Sequence, residues 1–104
     1  MSNNKPMAGI KILELSSVVT AALAATLLSE QGAQTVKIEP LGIGETLRHL
    51  GTARAGVSAL FANCNRGKRS VALDLKTEEG VGIVRKLAQE ADVLISNYRP
   101  GVLE

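Results

Sequence analysis

The sequence predicts an α/β fold, a mainly parallel β-sheet with flanking helices on both faces. Short apolar segments with strand character alternate along the chain with longer segments of helical composition or periodicity, which is the pattern of consecutive βαβ units. Hydrophobic residues make up 45% of the 104 residues and charged residues 21%, the composition of one ordinary globular domain. In a sheet of this kind, ligands bind outside the carboxyl ends of the strands.

The first predicted unit begins with a short strand, Lys11–Leu15. An Ala- and Leu-rich helix follows over residues 18–31, with Ser16 and Ser17 as its candidate N-caps. Gly32 lies where a glycine commonly terminates a helix. The first strand is therefore expected to end close to the start of this helix.

A second strand is predicted at Thr35–Glu39, where polar and apolar residues alternate up to Pro40. Residues 40–69 are rich in glycine and contain one candidate short helix, near residues 56–63. A connection of this length inside a compact domain is commonly functional or mobile. The carboxyl end of the second strand is expected at Glu39–Leu41.

The third and fourth strands are predicted at Ser70–Leu75 and Asp92–Asn97. Between them, the spacing of the apolar residues predicts a helix over residues 77–91, with Thr77 as its N-cap. Because parallel strands share an orientation, all four strands are expected to end at the same edge of the sheet.

Composition argues against several classes of function. A net charge of +2 and an aromatic content of 2% do not favour a nucleic-acid partner. The lone Cys64 excludes an internal disulfide, and no His or Cys cluster has metal-ligand spacing, so we expect no bound metal. The charge-free run Val18–Leu28 is too short to cross a bilayer, so we expect a cytoplasmic protein without a membrane partner.

Familiar cofactor and catalytic motifs are also missing from the sequence. A dinucleotide site requires Gly-x-Gly-x-x-Gly after the first strand, and residues 16–22 contain no glycine. The segment Gly67–Ser70 lacks the upstream glycine of a Walker-type phosphate loop and precedes a strand rather than a helix. His49 is the single histidine, which is weak support for catalysis by a Ser–His or Cys–His pair.

The densest positive charge lies in and after the segment NCNRGKRS, residues 63–70. The cations concerned are Arg66, Lys68, Arg69 and Lys76. A solvated loop, a ligand with phosphate groups and a nucleic acid all remain open, and the loop is favoured because exposed charges are common. The acids within or beside strands are best explained as edge positions, salt bridges or helix-end partners; they are Glu14, Glu39, Asp74 and Asp92.

Four segments together resemble successive blocks of a known family, the class III CoA-transferases. They are Ala8–Ser16, Gly32–Pro40, Asn65–Thr77 and Ala91–Glu104, and the blocks NRGKRSVALDLK and NYRPGVLE are specific in combination. The family includes formyl-CoA and carnitine CoA-transferases and the α-methylacyl-CoA racemases. The resemblance covers nearly the whole chain from residue 8.

The resemblance implies that residues 9–104 are the N-terminal part of a larger, Rossmann-like CoA-binding domain, preceded by a loose start at residues 1–8. It further implies an interlocked homodimer for the full-length protein, which would move CoA from an acyl-CoA thioester to a small carboxylic acid through an aspartyl intermediate. The catalytic aspartate is expected beyond Glu104, so no residue of this chain is assigned a catalytic role and the segment alone is expected to be inactive. The alternatives are a racemase of the same family and a small stand-alone nucleotide-binding or regulatory module without catalysis.

By motif match, part of the CoA site carries over to this chain. The implied cofactor-binding residues are Val19, Thr20, Leu73, Asp74, Leu75, Lys76, Asn97, Tyr98 and Arg99. Lys76 is the expected phosphate contact, because it lies at the ligand end of the third predicted strand while the cations at 66–69 lie at its opposite end.

The chain departs from the family pattern at two places. Residues 20–22 read Thr-Ala-Ala where the family commonly has Ala-Gly-Pro, which changes the backbone options of this turn. Pro40 stands where some members have an arginine, and Arg48 is the expected substitute for its charge.

Overall fold

The computed structural model describes residues 5–16, 19–42, 44, 48, 53–54 and 57–98. These residues form strands and helices that alternate along the chain. In chain order they are β1 (Lys11–Leu15), α1 (Thr20–Glu30), β2 (Gln34–Glu39), β3 (Ala53–Arg54), β4 (Val57–Ser58), α2 (Ala59–Cys64), β5 (Arg69–Ala72), α3 (Glu78–Glu90) and β6 (Val93–Ser96). None of these described helices is long and apolar enough to cross a membrane.

Four of the described strands form one sheet, in the order β5-β2-β1-β6, and every neighbouring pair in it is parallel. The short strands β3 and β4 pair separately and antiparallel. From β1 the chain moves outward through β2 to β5, then crosses through α3 to β6 on the other side of β1. The carboxyl ends of β1 and β6 therefore flank a topological switch point. The predicted α/β fold with a parallel sheet and flanking helices is confirmed.

The two faces of the sheet differ in chemistry because side chains alternate along each strand. On one face, Leu13, Leu15 and Ile38 form a buried apolar cluster, against which α3 packs Val84 and Leu87. The other face is buried but largely polar. Its central strands carry Ile12, Glu14, Thr35 and Lys37, which are paired in register as Ile12 with Thr35 and Glu14 with Lys37.

Helix α1 covers this polar face with small side chains, and its buried residues are Ala21, Ala22, Ala25 and Thr26. The prediction that Ser16 caps this helix is wrong. The N-cap is Val19, which has no side-chain acceptor, and the Ser16 hydroxyl donates instead to Glu14. Ser17, the other candidate cap, lies outside the described residues. Gly32 follows the helix at a φ of 111°, as the C-terminal glycine signal predicted.

The third strand is shorter than the predicted Ser70–Leu75. It starts at Arg69 and leaves the ladder after Ala72, where its partner β2 ends at Glu39. The predicted short helix near residues 56–63 is present as α2.

Helix α3 starts directly over the turn that follows β5. The predicted cap is confirmed, since the Thr77 hydroxyl oxygen accepts a hydrogen bond of 3.1 Å from the Gly80 N–H. Gly80 is buried, and a Cβ at this position would collide with the backbone carbonyl oxygen of Asp74, whereas a Cβ at Gly82 would meet open space. Glycine at position 80 thus allows the first turn of α3 to lie against residues 74–77.

We predict opposite effects for two glycine substitutions in α3. Gly82→Ala should raise the free energy of unfolding by about 1 kcal/mol, because alanine favours the helix and meets no neighbour. Gly80→Ala should lower it by about 1–3 kcal/mol through overpacking against the Asp74 carbonyl. Equilibrium urea unfolding followed by circular dichroism measures both values, and equal stabilisation by the two substitutions would contradict the close approach.

Candidate functional site

An open cleft of about 420 Å³ lies at the carboxyl ends of β2 and β5. Its lining residues come from the end of β2, from the turn after β5 and from the segment after β6. They are Ile38, Glu39, Pro40, Leu41, Leu73, Asp74, Leu75, Lys76 and Tyr98. Apolar side chains and the Tyr98 ring therefore share this cleft with one exposed ammonium group, that of Lys76.

The turn after β5 is held by its own hydrogen bonds. The Asp74 carboxylate accepts from the Lys76 N–H at 3.0 Å, and the Asp74 carbonyl accepts from the Thr77 N–H at 3.2 Å and hydroxyl at 2.8 Å. Leu73 and Leu75 pack against the apolar cluster beneath the cleft. The turn is thus anchored on both sides of Lys76, whose exposed side chain lies at the carboxyl end of β5.

A second polar contact lies at the switch point between β1 and β6. The Asn97 side-chain amide donates a hydrogen bond of 3.1 Å to the Thr20 hydroxyl, which joins the end of β6 to the first residue of α1. Val19, the residue before, packs against Ala22 and Cys64 beneath the helix. Tyr98 follows Asn97 directly and lines the cleft, so it connects the two groups of residues.

The structure brings most of the predicted site residues to one edge of the sheet, in two groups. Leu73, Asp74, Leu75, Lys76 and Tyr98 lie around the cleft, and Thr20 contacts Asn97, with Val19 beside it. Arg99 lies outside the described residues.

The end of β2 also lines the cleft, although the sequence predicts Glu39–Leu41 only as a strand end and not as site residues. The signal that could have identified it is topological, because β2 and β5 are neighbours whose carboxyl ends must coincide.

Arg48 does not stand as an unpaired cation at this edge. Its guanidinium donates to both carboxylate oxygens of Glu39, at 2.7 and 2.8 Å, and lies 3.8 Å from the centroid of the Phe61 ring. The Ser70 hydroxyl donates to the same carboxylate, whose residue is only 3% exposed. The positive charge of Arg48, which was predicted to act at this edge, is therefore largely balanced by the Glu39 carboxylate.

Comparison with known proteins identifies the family. Residues 7–104 match CoA-transferase family III. The chain belongs to this family. It is 43% identical over 101 residues to the succinyl-CoA–L-malate CoA-transferase beta subunit of Chloroflexus aurantiacus, covering 95% of this chain and 25% of that one. It is 38% identical over 104 residues to the human succinyl-CoA:glutarate CoA-transferase, covering 99% of this chain and 24% of that one.

Solved structures agree with this assignment to family III. A CaiB/BaiF family protein from Brucella suis superposes with a TM-score of 0.88 at 38% identity, over 96% of this chain and 28% of that chain. A hypothetical protein from Mycobacterium tuberculosis superposes with a TM-score of 0.86 at 35% identity, over 95% of this chain and 27% of that chain. The chain thus spans about a quarter of the length of the relatives it matches.

Beneath α1, this family III chain holds a buried ionic cluster centred on the Glu14 carboxylate. Lys37 Nζ lies 2.7 Å from Glu14 Oε2, and Lys68 Nζ lies 2.5 Å from Glu14 Oε1. The Ser16 hydroxyl also donates to Oε2. All three charged side chains are at most 2% exposed, so their mutual attraction is little screened by water.

The cluster shifts two protonation equilibria. Burial acts to raise the pKa of Glu14, but the hydrogen bonds from Lys37 and Ser16 and the adjacent Lys68 ammonium outweigh burial, and the pKa lies below its ordinary value. Burial lowers the pKa of Lys68, and the adjacent Glu14 carboxylate offsets that effect only in part. Among the described residues, no group of three or more His, Cys, Asp or Glu side chains is arranged to hold a metal ion.

The preference for a solvated loop at NCNRGKRS is wrong for Lys68. Its side chain is 2% exposed and its ammonium contacts Glu14, while Arg66 forms an exposed ion pair with Glu30 of α1. Arg69 opens β5 with an exposed side chain, at the amino end of the sheet. The interpretation of Glu14 and Glu39 as salt-bridge residues is confirmed.

The lowered pKa of Glu14 makes stability depend on acid pH. The ionised carboxylate stabilises the fold fully above its ordinary pKa of 4.5, and this contribution is lost as the pH falls through the lower pKa of the folded protein. Glu14→Gln should cost about 3–5 kcal/mol near neutral pH, because it removes the carboxylate that faces two buried ammonium groups.

Urea unfolding of the wild type and of Glu14→Gln, followed from neutral pH to about pH 3, measures this dependence. We expect the gap between the two proteins to narrow as the pH falls below 4.5, since protonation brings the wild type close to the variant. A difference in stability that stays constant over the whole pH range would contradict this prediction, because it would show that the pKa of Glu14 is the same in the folded and unfolded states.

Proposed function

We propose that residues 9–104 form the N-terminal part of a Rossmann-like CoA-binding domain, in a cytoplasmic enzyme that moves CoA from an acyl-CoA thioester to a carboxylate acceptor. One observation carries the proposal. Residues from three separate segments, around Thr20, Lys76 and Tyr98, collect at the carboxyl edge of one parallel sheet. In sheets with this topology, that edge is where nucleotide ligands bind.

The chemistry of the cleft suits the nucleotide half of CoA. Leu41, Leu75 and the Tyr98 ring offer an apolar and aromatic wall for a base, while the Lys76 ammonium supplies a point charge for phosphate. Asp74 holds the turn that carries Lys76, because its carboxylate accepts the Lys76 N–H.

The start of α1 adds a second favourable region for an anionic ligand. Within the described helix, the first turn carries no acidic side chain and Val19 supplies no capping group. The backbone N–H groups at this end carry the positive end of the helix dipole. Val19 and Thr20 are therefore proposed to contact CoA through their backbone.

The reaction proposed for the full-length protein is nucleophilic catalysis by an aspartate. The carboxylate attacks the thioester carbonyl and CoA thiolate leaves, giving a mixed anhydride; the thiolate then attacks the aspartyl carbonyl, which releases the acyl group as a carboxylate. The resulting aspartyl-CoA thioester passes its CoA to the acceptor by the same two steps in reverse order.

Neither aspartate of this chain suits that role. Asp92 accepts a hydrogen bond from the Lys11 N–H at the amino end of the sheet, and Asp74 holds the turn beneath Lys76. We therefore propose that the nucleophile is supplied from outside residues 1–104, and that the full-length protein is a homodimer. The acceptors in the names of two relatives, malate and glutarate, are small carboxylic acids, which supports an acceptor of that class.

Titration of the 104-residue chain with CoA, followed by amide NMR shifts, tests the proposed site. Lys76→Ala should weaken CoA binding by about threefold to tenfold, the effect of one charge-assisted hydrogen bond at an exposed position. Lys86→Ala is the matched control, because it removes the same charge from an exposed position on α3. It should leave the affinity close to that of the wild type.

Two outcomes of this titration would overturn the proposal. The first is the absence of saturable shifts around Thr20, Lys76 and Tyr98 in the wild type. The second is binding of ATP that equals or exceeds that of CoA and is unaffected by Lys76→Ala. The latter would favour a stand-alone nucleotide-binding module.

A further inference from the structure

The Lys68 ammonium ties three elements of the fold together. It lies 2.5 Å from Glu14 Oε1 on β1, and it donates to the carbonyl of Ala22 in the first turn of α1 at 2.8 Å. It also donates to the carbonyl of Cys64, the last residue of α2, at 3.2 Å, and to the Asn65 side chain at 2.8 Å. Removal of this one group would release contacts to two helices and a central strand.

The first turn of α1 is packed over a small area, where Ala22 lies against Cys64 with Val19 and Phe61 beside them. Its buried side chains are alanines, which bury little apolar area and so hold the helix weakly by packing. The Thr26 hydroxyl contacts the same two carbonyls as Lys68. It is within hydrogen-bonding distance of the Ala22 carbonyl, at 3.0 Å, and of the Cys64 carbonyl. The position of this turn therefore depends on the polar contacts at Ala22.

The first turn of α1, which Lys68 holds at Ala22, also carries the contact between Thr20 and Asn97. Ala22 lies in the same helical turn as Thr20, whose hydroxyl accepts from Asn97. A shift of the Ala22 carbonyl relative to β1 would move Thr20 relative to the end of β6 by a similar distance. The contact between Thr20 and Asn97 would then lengthen or break.

We infer that Lys68 is a positioning residue for the CoA site, which it never touches. By joining Glu14 of β1 to the Ala22 carbonyl of α1, it sets the place of Val19 and Thr20 at the carboxyl edge of the sheet. The inference rests on the proposed function, since it assigns to Lys68 the alignment of the switch-point half of that site.

The test compares Lys68→Met with Arg66→Met in the 104-residue chain. Methionine keeps most of the length of lysine and removes its charge, and Glu14 retains Lys37 as a partner. Arg66 is the matched control because it also ties the turn before β5 to α1, but at Glu30 in the last turn and through an exposed pair. NMR spectra without ligand and CoA titrations are recorded for the wild type and both variants.

For Lys68→Met we expect changed NMR shifts at the Thr20 amide and the Asn97 side-chain amide, with the Lys76 amide unchanged. The affinity of the folded protein for CoA should fall by about tenfold, which is the effect of losing one hydrogen bond between CoA and the displaced start of α1. Arg66→Met should change neither the NMR shifts of Thr20 and Asn97 nor the affinity for CoA. If Lys68→Met does not fold, Lys68→Arg, which keeps the positive charge but replaces the ammonium that lies between Glu14 and the Ala22 carbonyl, should shift the same two signals, and unchanged signals would overturn the inference.

A purely structural role gives a different result. In that case Lys68→Met unfolds at lower urea, but its folded fraction keeps the wild-type Thr20 and Asn97 signals and the wild-type CoA affinity, and the inference is overturned. Equal loss of affinity in both methionine variants also overturns it. Failure of the wild type to bind CoA would defeat the proposed function, while the ligand-free spectra would still decide whether Lys68 positions the turn.

Discussion

The Glu14 carboxylate is buried between the ammonium groups of Lys37 and Lys68, and the arrangement of the central strands depends on this contact. A charged group without a partner in the interior costs several kcal/mol, so each of these side chains must meet its partner for the sheet to form. A slip of β1 by one residue would turn Glu14 to the apolar face, where Leu13 and Leu15 pack. The cluster therefore fixes the register of β1 against β2.

The two faces of the sheet make different contributions to the same site. The face under α3 is apolar, and burial of Leu13, Leu15 and Ile38 there supplies non-directional stability. The face under α1 is polar, and hydrogen bonds and ion pairs require defined distances and angles. Residues at the carboxyl edge are thus supported on one side by packing and on the other by directional contacts, which locate the start of α1 relative to β6.

Local signals in the sequence predict those elements whose determinants are close together in the chain. The alternation at Thr35–Glu39 and the Thr77 cap with its helical spacing each lie within one segment, and both predictions agree with β2 and α3. The Ser16 cap failed because its hydroxyl is taken by Glu14, whose two cations come from other strands and loops. A partner chosen by tertiary register leaves no pattern in a local window, so the buried position of Lys68 was not predictable from charge density.

The same reasoning explains why the densest positive charge and the proposed ligand-binding charge are different groups. Arg66 and Lys68 precede β5 and lie at its amino end, where Lys68 supports α1 from beneath; Lys76 follows β5 and lies at its carboxyl end. A strand separates its two ends in space although they are close in sequence, so a cluster of cations read along the chain is divided between two environments. Lys68 lies in a closed environment with a fixed internal partner, whereas Arg66 is in an exposed ion pair and Lys76 lies at the open cleft. The position of a cation relative to the strand, more than the number of cations nearby, decides whether it is buried in the fold or lies at the open cleft.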